Sequence, residues 1–355
     1  MTVGARLQTS TELAGLRFQR LRDGVPWPAQ VLGGNEFSPA DTALPLLWPD
    51  GALIDAWSGS CSPQEYRSGH VRYATDGQWL YGTVEIADDA FTGGLQGAAR
   101  QAYTELFGVL RASGCPHPLR LWNYFSGINV VEAGTERYRQ FNAGRQQAFV
   151  DTGRSALEGS PAACALGTAG GPLRVHFLAG RVAPIAIENP RQVSAYHYPD
   201  RYGRHAPTFS RAALVDAGCG ARALFISGTA SIVGHASMHS GDVQRQTTES
   251  LANIVHVIDA ARTCASAVAD ARAVADASAD GGAEFAAQEL VCTVYVRHAS
   301  DLLIVREMFE RHVGSDSPAA RDAIYVRADI CRAELLVEIE GHAMALCDGS
   351  VGGAA

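Results

Sequence analysis

Apolar residues recur at helical spacing from Leu95 to Arg111, where Ala99, Tyr103, Leu106 and Leu110 share one face, and Gly114-Cys115-Pro116 ends the pattern. Upstream, His70 to Ala74 and Gln78 to Ile86 read as short strands. The first 50 residues, with Pro26-Trp27-Pro28 and the Gly33-Gly34 pair, read as irregular. Leu119 to Phe125 reads as a buried strand, and Thr135 to Val150 as a second helix with Tyr138, Phe141, Gln146 and Phe149 spread around it. The order then returns. Ala223 to Ser227 is a strand ending at Gly228, and Val243 to Ala261 is a helix with Leu251, Ile254, Val255 and Ile258 on one face. The alanine-rich stretch from Ala265 to Ala283 either extends that helix or loops out. Leu290 to Arg297 is a β-branched strand, Asp301 to Val313 a helix, and Ile324 to Arg327 and Leu335 to Glu340 are closing strands. Val351 to Ala355 reads as a frayed tail.

The matched order implies duplication, and two short words reinforce it: Ser160-Pro-Ala-Ala163 and Ser317-Pro-Ala-Ala320 each follow the second helix of their half. The expected architecture is α+β, two similar domains over residues 1–187 and 188–355, with the boundary near Glu188-Asn189-Pro190.

Composition narrows the chemistry. A chain of 355 residues, 47% hydrophobic, can bury a large core and hold two domains. A net charge of -8 without a basic stripe argues against nucleic-acid or membrane-surface binding. All 29 basic residues are arginine, so no lysine is present to form a Schiff base or anchor pyridoxal phosphate. Arginine instead suits bidentate carboxylate binding. The eight cysteines form no C-x-x-C pair, and His197, His205, His235 and His239 fit no standard zinc spacing, so no metal and no cofactor are expected. The opening MTVGARLQTSTELAG lacks a signal-peptide apolar stretch, and no run approaches the ~20 apolar residues of a membrane span; a cytoplasmic protein with reduced thiols is expected. Ser227 lacks the G-x-S-x-G elbow of a hydrolase nucleophile and reads as part of a strand-end turn.

The region from Ala195 to Thr247 carries the densest motifs. Ser227-Gly-Thr229, Gly234, Gly241-Asp242, Gln246-Thr247 and Asn253-Ile254 resemble the signature of the RidA (YjgF), chorismate-mutase-like fold, as do Asn189-Pro190, Tyr196, Ser317 to Arg321 and Val337-Glu-Ile-Glu340. In the first half, Leu121-Trp-Asn-Tyr-Phe125, Ile128-Asn129 and Glu136 to Arg145 resemble the chorismatases, two-domain relatives of RidA. Phe209-Ser-Arg-Ala212 and Ser227 to His235 extend that resemblance across the second half.

The resemblance implies two RidA-like domains and cofactor-free cleavage of the enolpyruvyl ether of chorismate, with release of pyruvate and formation of 3-hydroxybenzoate, accompanied in some members by 4-hydroxybenzoate. The runner-up within the family is hydrolysis to 3,4-dihydroxycyclohexa-1,5-dienoate and pyruvate. Outside it stand an imine or enamine deaminase, whose arginine would lie near Arg297, and a non-catalytic ligand-binding RidA-fold protein. RidA domains form trimers, so monomer and homotrimer are both open. Opening a vinyl ether needs one acid to protonate its terminal CH2 and arginines to hold the two carboxylates. In Leu335 to Glu340, Leu335, Val337 and Ile339 alternate with Leu336, Glu338 and Glu340. That pattern alone favours a solvated glutamate face, whereas the resemblance makes Glu338 the acid, with Glu340 in reserve. It also implies a product-steering Cys331 that is not a covalent nucleophile, and a subtype position at Ala236. Arg145 and Arg211 are the candidate carboxylate ligands because they sit among aromatic and small residues. Arg139 reads equally as an ion-pair partner, and Tyr138 and Tyr202 as either phenolic donors or core aromatics.

Overall fold

The computed structural model describes residues 15–22, 24–89, 91–218, 220–275 and 285–346. Cys219, Cys347, the residues from 276 to 283 and the 351–355 tail lie outside them. Two sheets dominate. The six-stranded sheet runs Gln64–Ser68, Val71–Thr75, Trp79–Ile86, Leu173–Gly180, His117–Ser126, Ala162–Thr168 in spatial order. The seven-stranded sheet runs Ile185–Ile187, Ala212–Gly218, Ala221–Ala230, Val337–Leu346, Val291–Val296, Ile324–Arg327, Leu46–Trp48. In each, an antiparallel pair leads to a helix, and the last strand of the unit inserts beside the first pair. Each carries one parallel pair at the equivalent place, Ala162–Thr168 on His117–Ser126 and Ile324–Arg327 on Val291–Val296. The halves are thus α+β units of one topology.

Helices α1 (Gly94–Ala112) and α2 (Arg137–Asp151) cover the outer face of the six-stranded sheet. Helices α3 (Val243–Ala275), α4 (Leu302–Val313) and α5 (Pro318–Asp322) cover that of the seven-stranded sheet. The inner faces meet in a third core holding Tyr81, Trp122 and Tyr124 from one sheet and Phe225, Tyr295 and Ala223 from the other. Strand alternation makes this possible: Val337 and Ile339 point to the helices of their unit, while Glu338 and Glu340 point between the sheets.

Several expectations change. The described part of the first 50 residues is not wholly irregular: Arg17–Arg22 and Val31–Phe37 pair with Leu53–Ser58 in a three-stranded antiparallel sheet. Its glycine pair permits close approach rather than breaking a strand. A Cβ on Gly33 would stand 2.4 Å from the Tyr81 ring, and one on Gly34 2.3 Å from the Asp55 carbonyl oxygen. The alanine-rich segment after 261 continues α3 to Ala275. The two Ser-Pro-Ala-Ala words adopt different structures. Ser317 caps α5, its Oγ accepting from the Ala320 N–H with Pro318 in the first turn, whereas Ser160 and Pro161 lead directly into a strand. Ile185–Ile187 pairs with Ala212–Gly218 and so is an edge strand of the seven-stranded sheet. Leu335 joins the inter-sheet core and Leu336 packs towards the helices, so the regular alternation begins only at Val337. No helix among the described residues is long and apolar enough to cross a membrane, and the six cysteines among them are unpaired.

Candidate active site

Glu338 lies opposite Ala230 on one neighbouring strand and Tyr295 on the other. Its residue is 3% exposed, and among the described residues no group hydrogen-bonds its carboxyl. The adjoining strand makes room for it. Ala221–Ala230 does not end at Gly228 but runs through it, with a register shift between Ile226 and Thr229. A Cβ on Gly228 would fall 1.9 Å from Glu338 Oε1 and 2.7 Å from its Cδ, so only glycine admits the carboxyl there. Burial, and after it the negative charge of Glu340, pushes the Glu338 carboxyl up to about 8 against the opposing Arg120 and Arg211. A glutamic acid in this setting holds its proton at neutral pH.

Glu338 opens into a cavity of about 340 Å³. Tyr138 and Arg139 of α2 form one wall, the segment 195–209 contributes Tyr198, Arg201, Tyr202, Pro207 and Phe209, and Arg211 follows on. Gly228, Ala230 and Ile232 form the floor beside Glu338, and the turn Cys331 to Glu334 closes the far side. Arg211 is 4% exposed. Its Nη2 donates to the Val193 carbonyl and the Tyr198 hydroxyl, both at 2.9 Å, and its buried Nε has no partner. Desolvation, with Glu338 next, pushes the Cys331 thiol up to about 12, so it is a neutral thiol at neutral pH. Burial likewise raises the Tyr138 phenol.

The structure therefore brings Glu338, Cys331, Arg211, Tyr138 and Tyr202 together around one cavity. It does not bring Arg145 or Ala236 to that wall. Arg145 is 1% exposed behind it, above the Phe141 ring at 5.0 Å, with Nη2 donating to Asn142 Oδ1 at 2.9 Å and a buried Nε without a partner. It lowers the phenols of Tyr138 and Tyr103 against the effect of their burial, and so acts through the wall. Ala236 pairs with Val233 in a two-residue ribbon outside the cavity. Ser227 is not at a strand-end turn: within the strand, its Oγ donates to the Ser210 carbonyl at 2.5 Å and accepts from the Ala163 N–H at 2.9 Å, so it is structural. Arg139 does line the cavity and pairs with Glu136 at 3.4 Å.

Arg332 was not singled out by sequence reasoning. Its guanidinium lies 4.0 Å from the Tyr202 ring centroid and 5.2 Å from that of Tyr198, and its Nη1 donates to the His235 carbonyl and Ser237 Oγ, both at 3.0 Å. Its Nη2 is buried without a partner beside the cavity. Its place next to Cys331 in the chain is a signal that could have found it. Arg201 also lines the cavity, 2.7 Å from His235 Nδ1. His205 Nδ1 meets Gln146 Oε1 at 2.7 Å and His239 Nε2 meets Glu249 at 3.5 Å, so these histidines are dispersed over separate contacts. Glu340, the reserve acid, receives Arg120, Trp122 Nε1–H at 3.1 Å and the Tyr295 hydroxyl at 2.9 Å, and does not line the cavity.

Arg297 is fully engaged. Its Nε donates to the Leu335 carbonyl, Nη1 to Asp329 at 2.7 Å, and Nη2 to Asn129 and the carbonyls of Ile330 and Arg332. It pins the 328–336 turn and is closed to a ligand.

Residues 55–179 match the family model described as chorismatase FkbO/Hyg5-like, N-terminal. A 3-hydroxybenzoate synthase from Streptomyces hygroscopicus is 35% identical over 298 residues, covering 82% of each chain. A chorismatase from Streptomyces rapamycinicus is 34% identical over 296 residues, again 82% of each. A chorismatase crystal structure superposes with a TM-score of 0.78 at 30% identity, covering 93% of this chain and 98% of that one. The chain belongs to the chorismatase family.

Proposed function

We propose that this chain cleaves the enolpyruvyl ether of chorismate, releasing pyruvate and forming 3-hydroxybenzoate. One observation carries the mechanism: a buried carboxyl without hydrogen-bond partners, protonated at neutral pH, faces a cavity whose arginines keep buried N–H groups without partners. Arg211 and Arg332 bind the substrate carboxylates, completing hydrogen bonds that protein atoms leave open. Glu338 passes its proton to the terminal CH2 of the enolpyruvyl group. The ring C–O bond of the resulting oxocarbenium ion then breaks, leaving pyruvate and a ring cation that the Glu338 carboxylate stabilises. The neighbouring ring hydroxyl oxygen bridges to the vacated carbon, and net loss of one proton from the ring fragment to Glu338 aromatises the ring and restores the acid. Chorismate divides into pyruvate and hydroxybenzoate without added water, whereas the hydrolytic route consumes one. Tyr138 and Tyr202 flank the ring. Cys331 remains a neutral thiol against the ring face, where its size and softness steer product choice. The committed state of Arg297 disfavours an imine deaminase.

Purified protein incubated with chorismate and no added metal should release pyruvate and 3-hydroxybenzoate in equal amounts, read by chromatography and a coupled pyruvate assay. Pyruvate with a dihydroxycyclohexadiene acid would select the hydrolytic reading, and no pyruvate would refute both.

A further inference from the structure

We propose that the Arg120–Glu340 ion pair, which bridges the two sheets, is an electrostatic back wall that keeps Glu338 in its proton-carrying form, so that the N-terminal unit takes part in the chemistry without touching substrate. The inference rests on Glu338 being the acid. Glu338 and Glu340 lie two residues apart on one face of one strand, about 7 Å from Cα to Cα, and are 3% and 5% exposed. Glu340 pairs with Arg120 and accepts from Trp122 Nε1–H, both from His117–Ser126 of the opposite sheet, and from the Tyr295 hydroxyl, itself 2.9 Å from the Tyr124 hydroxyl. Glu338 receives no such donor. One carboxylate is thus held in an ion pair across the sheets, and its charge favours the neutral form of the unpartnered neighbour beside it.

The other groups facing Glu338 come from every element packed on it: Tyr295 from Val291–Val296, Cys164 from Ala162–Thr168, Tyr138 from α2, Cys331 from its turn, and Arg211. Arg332 and Glu334 stand farther along the same cavity. Burial raises both thiols and both phenols, which leaves them neutral. Glu340, Arg120 and Arg211 remain the charges that act on Glu338, and Glu340 acts most strongly among them.

The pH dependence of kcat/KM for pyruvate release tests this, because it reports the free enzyme. Wild type should lose activity on a basic limb near the Glu338 value of about 8. In Glu340→Gln that limb should move down by about one pH unit or more. The double variant Arg120→Gln/Glu340→Gln should move the same way by less, since it removes both charges. It leaves no buried charge unpaired and so keeps the test available if the single variant does not fold. Glu340→Asp, which retains the charge, should return the limb close to the wild-type position. A merely structural role would lower rates without moving the limb. An unmoved limb in the folded double variant overturns the proposal while leaving chorismate cleavage intact; loss of pyruvate release by wild type would instead strike at the function.

Discussion

The two units share one topology and differ in what their returning strand points inward. In Leu173–Gly180 the inward positions include Arg174 and His176; in Val337–Leu346 they include Glu338, Glu340 and His342. Arg174 pairs with Glu85 at 3.3 Å, with both side chains more than 40% exposed. Desolvation, helped by Arg174 and Arg72, pushes His176 down to about 3, and its Nδ1 lies 3.0 Å from the Tyr81 hydroxyl and 3.1 Å from Thr83 Oγ1. The N-terminal frame thus spends its polar residues on a solvated ion pair and a neutral hydrogen-bonding histidine. The C-terminal frame buries a carboxyl with no partner. The comparison teaches that strand position alone makes no acid: enclosure, a neighbouring anion and a glycine-lined gap do.

The largest change should come from closing that gap. Gly228→Ala puts a methyl group where the Glu338 carboxyl stands and within 3.0 Å of Cys164 Cβ, so the acid must move. We expect kcat to fall about 10²- to 10³-fold with the fold retained by circular dichroism, since misplacing a reacting group by ~1 Å costs on the order of 10². Arg211→Gln should lower kcat/KM by roughly 10- to 100-fold, most of it in KM, by removing a buried carboxylate ligand. The next effect is on stability. The folded protein holds the Glu338 proton up to about 8, above the ordinary value of 4.5, so between these the native state binds more protons than the unfolded one. Stability is therefore lost as pH rises through that window. Glu338→Gln should gain on wild type across it, reaching on the order of 2–5 kcal/mol at pH 8 by thermal or urea unfolding. The smallest effect belongs to the N-terminal counterpart. Glu85→Gln should change stability by no more than about 0.5 kcal/mol at any pH in that range, because its pair with Arg174 is solvated. A large Glu85 effect, or a flat Glu338→Gln difference, would break the contrast.

Much of this was legible in the sequence because periodicity reports burial. The helical repeat of Ala99, Tyr103, Leu106 and Leu110 fixes α1, and all four residues are buried. Helix α2 was visible despite burying Asn142 and Arg145 on the side towards the site. Short strands rich in alanine and glycine, such as Ala162–Thr168 and Ala212–Gly218, lack the β-branched signature and went unassigned. Arg17–Arg22 was hidden because its Arg20 looks solvent-facing, yet both ends of its guanidinium meet the buried Asp55 at 2.5 and 2.6 Å. In the site, Glu338 came from family resemblance, since alternation alone favoured a solvated face. The resemblance ranked Glu338 ahead of Glu340, but the physical difference between them lies in Arg120, 220 residues before Glu340 in sequence. No local pattern could show that partner, nor that Arg145 sits behind the cavity wall while Arg332 lies on it.

The most direct measurement pairs turnover with binding in Glu338→Gln. Chorismate is titrated into the variant by calorimetry, and pyruvate release is followed at pH 7 in a coupled assay. The amide keeps the shape of the carboxyl and has no proton to give. The dissociation constant should stay within a few-fold of the wild-type Michaelis constant, while pyruvate release falls by roughly 10³-fold or more. A variant that binds chorismate and still releases pyruvate at a tenth of the wild-type rate would contradict the assignment of Glu338 as the proton donor.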